Sequence, residues 1–306
     1  MGERISSPDD RMERISKVIK NEALIESVPS MQFLDSDAFK MPGGSIYYGT
    51  GLTTPKEISK GLPFDTLGMM LTAEKIRRAG GLDRVFHHIA DTHAKTNSWI
   101  DGAEVDRIAD VTSGHLNTIK NNLGLDSFVF VRSSSFDSTN EYADMINEFM
   151  SSDQHEYVIR EMADMEWYRT REDVRLKLGW IIQANETELG FDERRFDREY
   201  LRFRPGEMSF VYTKPGRTFN KSIPKASPYI STNNVDRLML SPDEDVAKKL
   251  SSQQDPSWGG AKKHIGSIVR LYESIYGSLG KIGRDGVTLE SKIQSIINHC
   301  FSGKSD

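Results

Sequence analysis

A single cysteine, Cys300, in 306 residues excludes an internal disulfide and any zinc site built on several cysteines. No stretch approaches the run of about twenty apolar residues that a membrane span needs, and no signal-peptide core is present, so a cytoplasmic protein is expected. Positive charge is not in excess. Lys and Arg number 40 against 45 Asp and Glu, and the formal charge of -5 argues against a non-specific nucleic-acid binder. Local basic patches, Arg194-Arg195 and Lys214 to Lys225, could still meet phosphate. There is no low-complexity tract and no internal repeat. The 37% of apolar residues is enough for one large buried interior or for a core with a smaller companion.

The chain is best organised around Met208 to Ile230, MSFVYTKPGRTFNKSIPKASPYI, where an apolar strand-like run leads directly into a basic loop. Lys214, Arg217, Lys221 and Lys225 bring four cations into twelve residues, while Pro215, Gly216 and Pro224 keep the segment out of a helix or strand interior. Lys221 and Ser222 then read as a phosphate-handling pair; a solvated basic turn has the same composition.

Upstream, Ile15, Val18, Ile19 and Leu24 make one face of a packing helix within residues 1-40, with Ser7 or Asp9 as its cap. Ser45 to Gly51 reads as a short strand stopping at glycines, and a helix starts near Asp65 or Thr66 and ends at Gly80-Gly81. Arg84 to Ala90 is a second strand, so the order opens a βαβ unit. After a helix from Gly102 to Asn122, the apolar run Ser127 to Arg132 reads as a fully buried parallel strand. Helices are expected over 137-151 and 155-170, strands at Leu178 to Ile182 and Phe210 to Tyr212, and a charged helix over Asp192 to Leu201. Further helices are expected at Ser241 to Ser251, Lys262 to Gly277 and Leu289 to Phe301. The pattern divides into an N-terminal helical segment (1-40), an α/β domain (41-232) and a helical C-terminal region (233-306).

In an open parallel sheet, ligands bind at the carboxyl ends of the strands, and a helix N-terminus offers free N–H groups to phosphate. Gly49, Gly51, Thr66 and Gly68 stand where such a nucleotide site would be, and Gly68, lacking a side chain, would let a flat base approach the helix backbone. The glycines could equally serve only to turn the chain. Tyr157, Glu161 and Asp164 fall at i, i+4 and i+7 on one helix face and could grip the ammonium group of a small ligand, although acidic residues at this spacing also form solvated stripes. His87 and His88 alternate across a strand, where core packing accounts for them better than metal ligation; His93, at the strand's end, is the better active-site histidine.

Four segments, in order, resemble the class I aminoacyl-tRNA synthetase core, nearest to its tyrosyl/tryptophanyl branch. Ile89-Ala90-Asp91-Thr92-His93-Ala94-Lys95-Thr96-Asn97 resembles that branch's ADxHAxxN motif, and Tyr157, Glu161 and Asp164 resemble its Tyr-xxx-Gln-xx-Asp amino-acid-binding helix. Gly190 to Arg195 resembles its Gly-x-Asp/Glu-Gln-Arg-Lys segment, and Phe219-Asn220-Lys221-Ser222 falls where the KMSKS signature belongs. The resemblance, over roughly 45-230, implies a Rossmann-like doubly wound parallel sheet, with ATP and Mg2+ in the reaction. It gives Lys221, Ser222 and Thr66 catalytic duties, with Gly49, Gly51, Gly68 and Lys221 at the nucleotide. Substrate contacts then fall to Tyr47, Asp91, His93, Tyr157, Glu161, Asp164 and Glu193. Tyr47 and Asp164 match the residues that recognise a tyrosine hydroxyl, so tyrosine, another aromatic or a cationic amino acid is the expected substrate. tRNA and a homodimeric partner are also implied.

The departures from the pattern are specific. Thr66-Leu67-Gly68-Met69 occupies the HIGH position without either histidine, Thr218 replaces the first KMSKS lysine, and both ammonium-holding glutamines become Glu161 and Glu193. Residues 231-306 are expected to be too short for a full anticodon-binding domain, which points outside ordinary translation. Three functions follow: amino-acid activation by ATP, a tRNA-dependent transferase of the cyclodipeptide-synthase kind, which resembles the chain in Tyr-xxx-Glu, and an inactive synthetase-like binding protein.

Overall fold

Alternating β-branched and aromatic residues bounded by glycine build the centre of the molecule, as a computed structural model shows. The structure describes residues 13-14, 31-34, 43-51, 62-95, 101-151, 156-182, 200, 202-204, 208-213, 239-240 and 258-301. In chain order the elements are β1 (Met31–Leu34), β2 (Ser45–Gly51), β3 (Leu62–Pro63), α1 (Phe64–Gly80), β4 (Arg84–Ala90), α2 (Asp91–Lys95), α3 (Gly102–Leu123) and β5 (Phe128–Arg132). A 3-10 turn (Ser133–Ser135) leads to α4 (Asn140–Phe149), α5 (Glu156–Arg169), β6 (Leu176–Ile182), β7 (Ser209–Thr213), β8 (Met239–Leu240), α6 (Trp258–Tyr276) and α7 (Leu289–Phe301).

Local chemistry sets several boundaries. Asp101 caps α3 by accepting a hydrogen bond from the Ala103 amide at 3.1 Å, and Gly124, at φ 61, closes its other end in the left-handed conformation that glycine adopts without strain. Thr139 caps α4 by accepting from the Tyr142 amide at 3.2 Å.

The main sheet is six-stranded, ordered β1-β7-β6-β2-β4-β5. β7, β6, β2, β4 and β5 run parallel, and β1 joins β7 antiparallel at one edge. The order runs outward from β2 in both directions, which makes this the doubly wound α/β arrangement. β3 and β8 form a separate antiparallel pair.

Each face of the sheet carries its own core. Ile46, Tyr48, Val85, Ile89, Phe128 and Leu178 pack with α1, α3, α6 and α7, while Tyr47, Phe86 and Leu176 pack with α4 and α5. Leu176 and Leu178 share parity yet lie in opposite cores, because the pairing of β6 with β2 shifts register between Ser45 and Ile46. The expected helical C-terminal extension is present and is part of the first core: Ile268, Leu271, Ile293 and Ile296 are buried there, and Asn122 donates to the Cys300 carbonyl at 2.7 Å. On this face the buried His87, its pKa pushed down to about 3 by burial, lies 2.9 Å from the Tyr48 hydroxyl through Nδ1.

Two expectations change. The run ending at Arg132 was expected to be a strand buried on both faces; it is the sheet's edge, and only Phe128 is fully buried, because the outer side has no neighbouring strand to cover it. β1 was not expected. Of the N-terminal packing helix only Glu13 and Arg14 are described, as helical, while Ser241 to Ser251 and most of the charged stretch after Asp192 lie outside the described residues. Among the described residues no helix is long and apolar enough to cross a membrane.

Candidate functional site

Winding reverses between β2 and β6, so the chain leaves these neighbouring strands in opposite directions, and in a doubly wound sheet the ligand crevice lies at the carboxyl ends of such strands. β2 reaches it with Gly49 to Gly51, and β4 passes into α2 without a connecting loop. That junction brings His93 to the crevice. α5 crosses the same end with its Glu161 face turned to the sheet, its apolar neighbours Met162, Ala163 and Met165 being buried in the second core.

Asp164 is the centre of the cluster and is fully buried. Its Oδ1 accepts a 2.7 Å hydrogen bond from the Tyr142 hydroxyl, and its Oδ2 lies 3.1 Å from Nε2 of His88 and 3.1 Å from Nε2 of His93. Nδ1 of His88 is 3.0 Å from the Tyr168 hydroxyl. On its other side His93 directs Nδ1 at Oε1 of Glu161, 3.6 Å away. Glu161 keeps 24% of its side chain exposed, which makes it the group through which the cluster meets the crevice.

The electrostatics follow from this packing. Burial works against charge on His93, but the Asp164 carboxylate, aided by Glu161, outweighs it and lifts the pKa to about 10. Burial likewise raises Asp164, and the two imidazoles more than reverse this, holding its carboxyl below the ordinary carboxylate range. A buried imidazolium therefore sits between two carboxylates. Glu161, the exposed member of the cluster, is placed to accept hydrogen bonds from a cationic ligand.

The structure brings Tyr47, His93, Glu161 and Asp164 together. The ring of Tyr47 packs 5.7 Å from His88 and 5.0 Å from Tyr168. Gly49 is beside them: a Cβ there would come 3.5 Å from the Tyr47 hydroxyl. Tyr157 is on α5, one turn before Glu161, and Gly51 is the last residue of β2. Thr66 is buried in the first turn of α1.

Two expected site residues have other employment. A Cβ at Gly68 would meet Cγ1 of Ile268 at 3.0 Å and Cδ1 at 3.1 Å, so the bare backbone there admits α6. Asp91 is fully buried and ties the ends of β4 and β5 together. It accepts from Arg132 Nε at 2.8 Å, from the Ser134 amide at 2.9 Å and from the Ser133 hydroxyl at 3.1 Å. Against the rise that burial would cause, the Ser134 and Arg132 contacts keep its pKa low. Glu193, Lys221 and Ser222 lie outside the described residues.

His88, Tyr142 and Tyr168 belong to the cluster and were not expected in it. A signal existed for two of them. Tyr168 continues the helical spacing of Tyr157, Glu161 and Asp164 by one turn, and the two-residue period of β4 puts His88 on the face of Phe86, opposite His87. Among the described residues no group of His, Cys, Asp or Glu is arranged to hold a metal ion.

No family model matches the sequence, and no curated protein matches it significantly. Solved structures do. The chain is similar to the tyrosyl-tRNA synthetase of Archaeoglobus fulgidus complexed with L-tyrosine, with a TM-score of 0.58 and 13% identity over 96% of this chain and 98% of that one. The tyrosyl-tRNA synthetase of Aeropyrum pernix gives 0.56 and 12% over 96% and 93%. The tryptophanyl-tRNA synthetase of Plasmodium falciparum gives 0.55 and 10% over 96% and 87%.

Proposed function

Given that the chain has the fold of a class I aminoacyl-tRNA synthetase core of the tyrosyl/tryptophanyl type, we propose that it activates an amino acid with ATP. A carboxylate oxygen of the amino acid attacks the α-phosphorus, the bond to the bridging oxygen of the β-phosphate breaks, and pyrophosphate leaves. The acyl group then passes to a hydroxyl of tRNA or to another acceptor, the bond to the phosphate breaking and AMP leaving. The observation that carries this reading is the partly exposed Glu161, held beside the His93 imidazole at the sheet's switch point.

In this reading Glu161 accepts hydrogen bonds from the substrate ammonium, with Tyr157 and Glu193 as its neighbours in the task. His93 and Asp164 orient Glu161 from below. The first turn of α1, with Thr66, faces the α-phosphate region through its free amides. Lys221 and Ser222 meet the leaving pyrophosphate, and Mg2+ would accompany ATP and supply further charge neutralisation. Such a reaction depends on positioning and on charge stabilisation more than on a protein nucleophile. The missing HIGH histidines put greater demand on Lys221 and the helix amides.

A second reading, aminoacyl transfer from charged tRNA without ATP, is favoured by Tyr157 and Glu161 standing one turn apart on α5. Amino-acid-dependent ATP–pyrophosphate exchange, run over all proteinogenic amino acids with and without tRNA, separates the two. Exchange with a defined amino acid is the expected result, and Lys221→Ala should lower it at saturating ATP. No exchange, with charged tRNA consumed, selects the transferase. Silence in both assays selects a binding protein.

A further inference from the structure

The crevice beside Glu161 is closed from below by residues that fill one another's contacts. α5 sends Asp164 and Tyr168 into this region, and β2 and β4 send Tyr47 and His88 from the opposite side; all four are buried. The rings interlock: Tyr168 is 5.0 Å from Tyr47 and 5.8 Å, edge on, from His88, and Phe136 closes the end at 5.9 Å from His88. The 3.0 Å contact between His88 Nδ1 and the Tyr168 hydroxyl fixes the two against each other.

Asp164 is enclosed by the same wall. Tyr142 holds one carboxylate oxygen at 2.7 Å, and His88 and His93 share the other at 3.1 Å each. The expectation that Tyr47 and Asp164 would read a substrate phenol therefore meets a physical obstacle. A phenol would need room for its ring and an open acceptor at its end. The ring's room is taken by His88 and Tyr168, and the acceptor has one oxygen hydrogen-bonded to Tyr142 and the other lying 3.1 Å from each of two buried imidazoles. Admitting a large side chain would mean parting a buried carboxylate from its imidazoles, which is far costlier than filling an empty pocket.

We propose that the site is specific for an amino acid with a small side chain, of the glycine, alanine or serine class, with His88 and Tyr168 as the residues that set the limit. The inference rests on the reading of Glu161 as the ammonium holder. An ammonium placed on Glu161 sets the substrate's α-carbon against this wall, where a methyl or hydroxymethyl group is accommodated at the surface and a ring is not. Exclusion by a close-packed wall is steep, since a single methylene commonly changes discrimination by about 10-200-fold.

The test is calorimetric titration of the intact chain with glycine, alanine, serine, leucine, phenylalanine, tyrosine and tryptophan, each repeated as ATP–pyrophosphate exchange. Wild type should bind a small amino acid at least about tenfold more tightly than any aromatic one. The double variant His88→Leu/Tyr168→Leu, or Tyr168→Leu alone if the pair fails to fold, should shift the preference toward leucine or phenylalanine. Tyrosine or tryptophan binding wild type as well as alanine would overturn the inference, whether or not exchange is seen. A folded opened variant with unaltered preference would overturn it too. Binding of a small amino acid without exchange would leave the inference standing and remove the activation reading. Binding of no amino acid at all would remove both.

Discussion

Asp164 concentrates the site's physics in one side chain, because a buried carboxylate is stable there only while its imidazole and hydroxyl partners remain in place. The pH dependence of stability should carry its mark. His93 has a folded pKa of about 10 against an ordinary 6.5, so its contribution is complete below pH 6.5 and is lost as pH rises toward 10. Asp164 has a folded pKa below its ordinary 3.8, so its contribution is complete above that value and is lost as the medium becomes more acidic. Urea unfolding across this range should therefore show greatest stability between about pH 4 and pH 6.5, and His93→Gln should flatten the alkaline fall. Asp164→Asn should cost about 3-5 kcal/mol near neutrality, as removal of one member of a buried pair does. An unaltered alkaline slope in His93→Gln would show that the imidazolium is not held as described.

At the scale of elements, the contact between α1 and α6 is made possible by one missing side chain. Gly68 lies against Ile268 at a separation that a Cβ would reduce to 3.0 Å. Overpacking of this kind costs about 1-3 kcal/mol, offset by about 1 kcal/mol of improved helix propensity on replacing glycine with alanine. Gly68→Ala should thus destabilise the chain by about 1 kcal/mol, and adding Ile268→Val, which removes Cδ1 but keeps Cγ1 at the contact, should recover part of it. Nucleotide binding by Gly68→Ala/Ile268→Val should equal that of wild type. If stability returned while ATP binding was lost, Gly68 would serve the nucleotide after all.

Over the whole molecule, legibility in the sequence followed the range of the interactions. β2, β4 and β6 were readable because short apolar runs end at glycine or polar residues, and a βαβ order implies a parallel sheet almost by itself. β1 was not readable: Met31–Leu34 has no alternation to announce it, and what makes it a strand is its antiparallel pairing with β7, far along the chain. The edge position of β5 was hidden for the same reason, since an apolar run reads alike whether or not a neighbour covers its outer side. Nothing local marked the register shift that sends Leu176 and Leu178 into opposite cores.

The site divides in the same way. Helical spacing grouped Glu161 with Asp164, and the end of β4 singled out His93, but the meeting of β4 and α2 with α5 joins residues separated by 68 to 80 positions, from His93 with Glu161 to His88 with Tyr168. Local periodicity carries no information about that meeting. At Asp91 the motif points to a substrate, and the sequence does not show that Arg132, Ser133 and Ser134 engage its carboxylate within the fold. At Gly68 the sequence records the missing side chain and not Ile268, the neighbour that lies against it.

The central claim is that Glu161 receives the ammonium of an amino acid. Calorimetric titration of the preferred amino acid against wild type and Glu161→Gln, near pH 7 and without ATP, tests it most directly. A hydrogen bond to a charged group contributes about 1.5-3 kcal/mol, so the loss of charge should weaken binding about tenfold or more while leaving the unfolding midpoint nearly unchanged. Equal affinity in the two proteins would contradict the account, for the one group of the cluster open to the crevice would then have no part in holding the ligand.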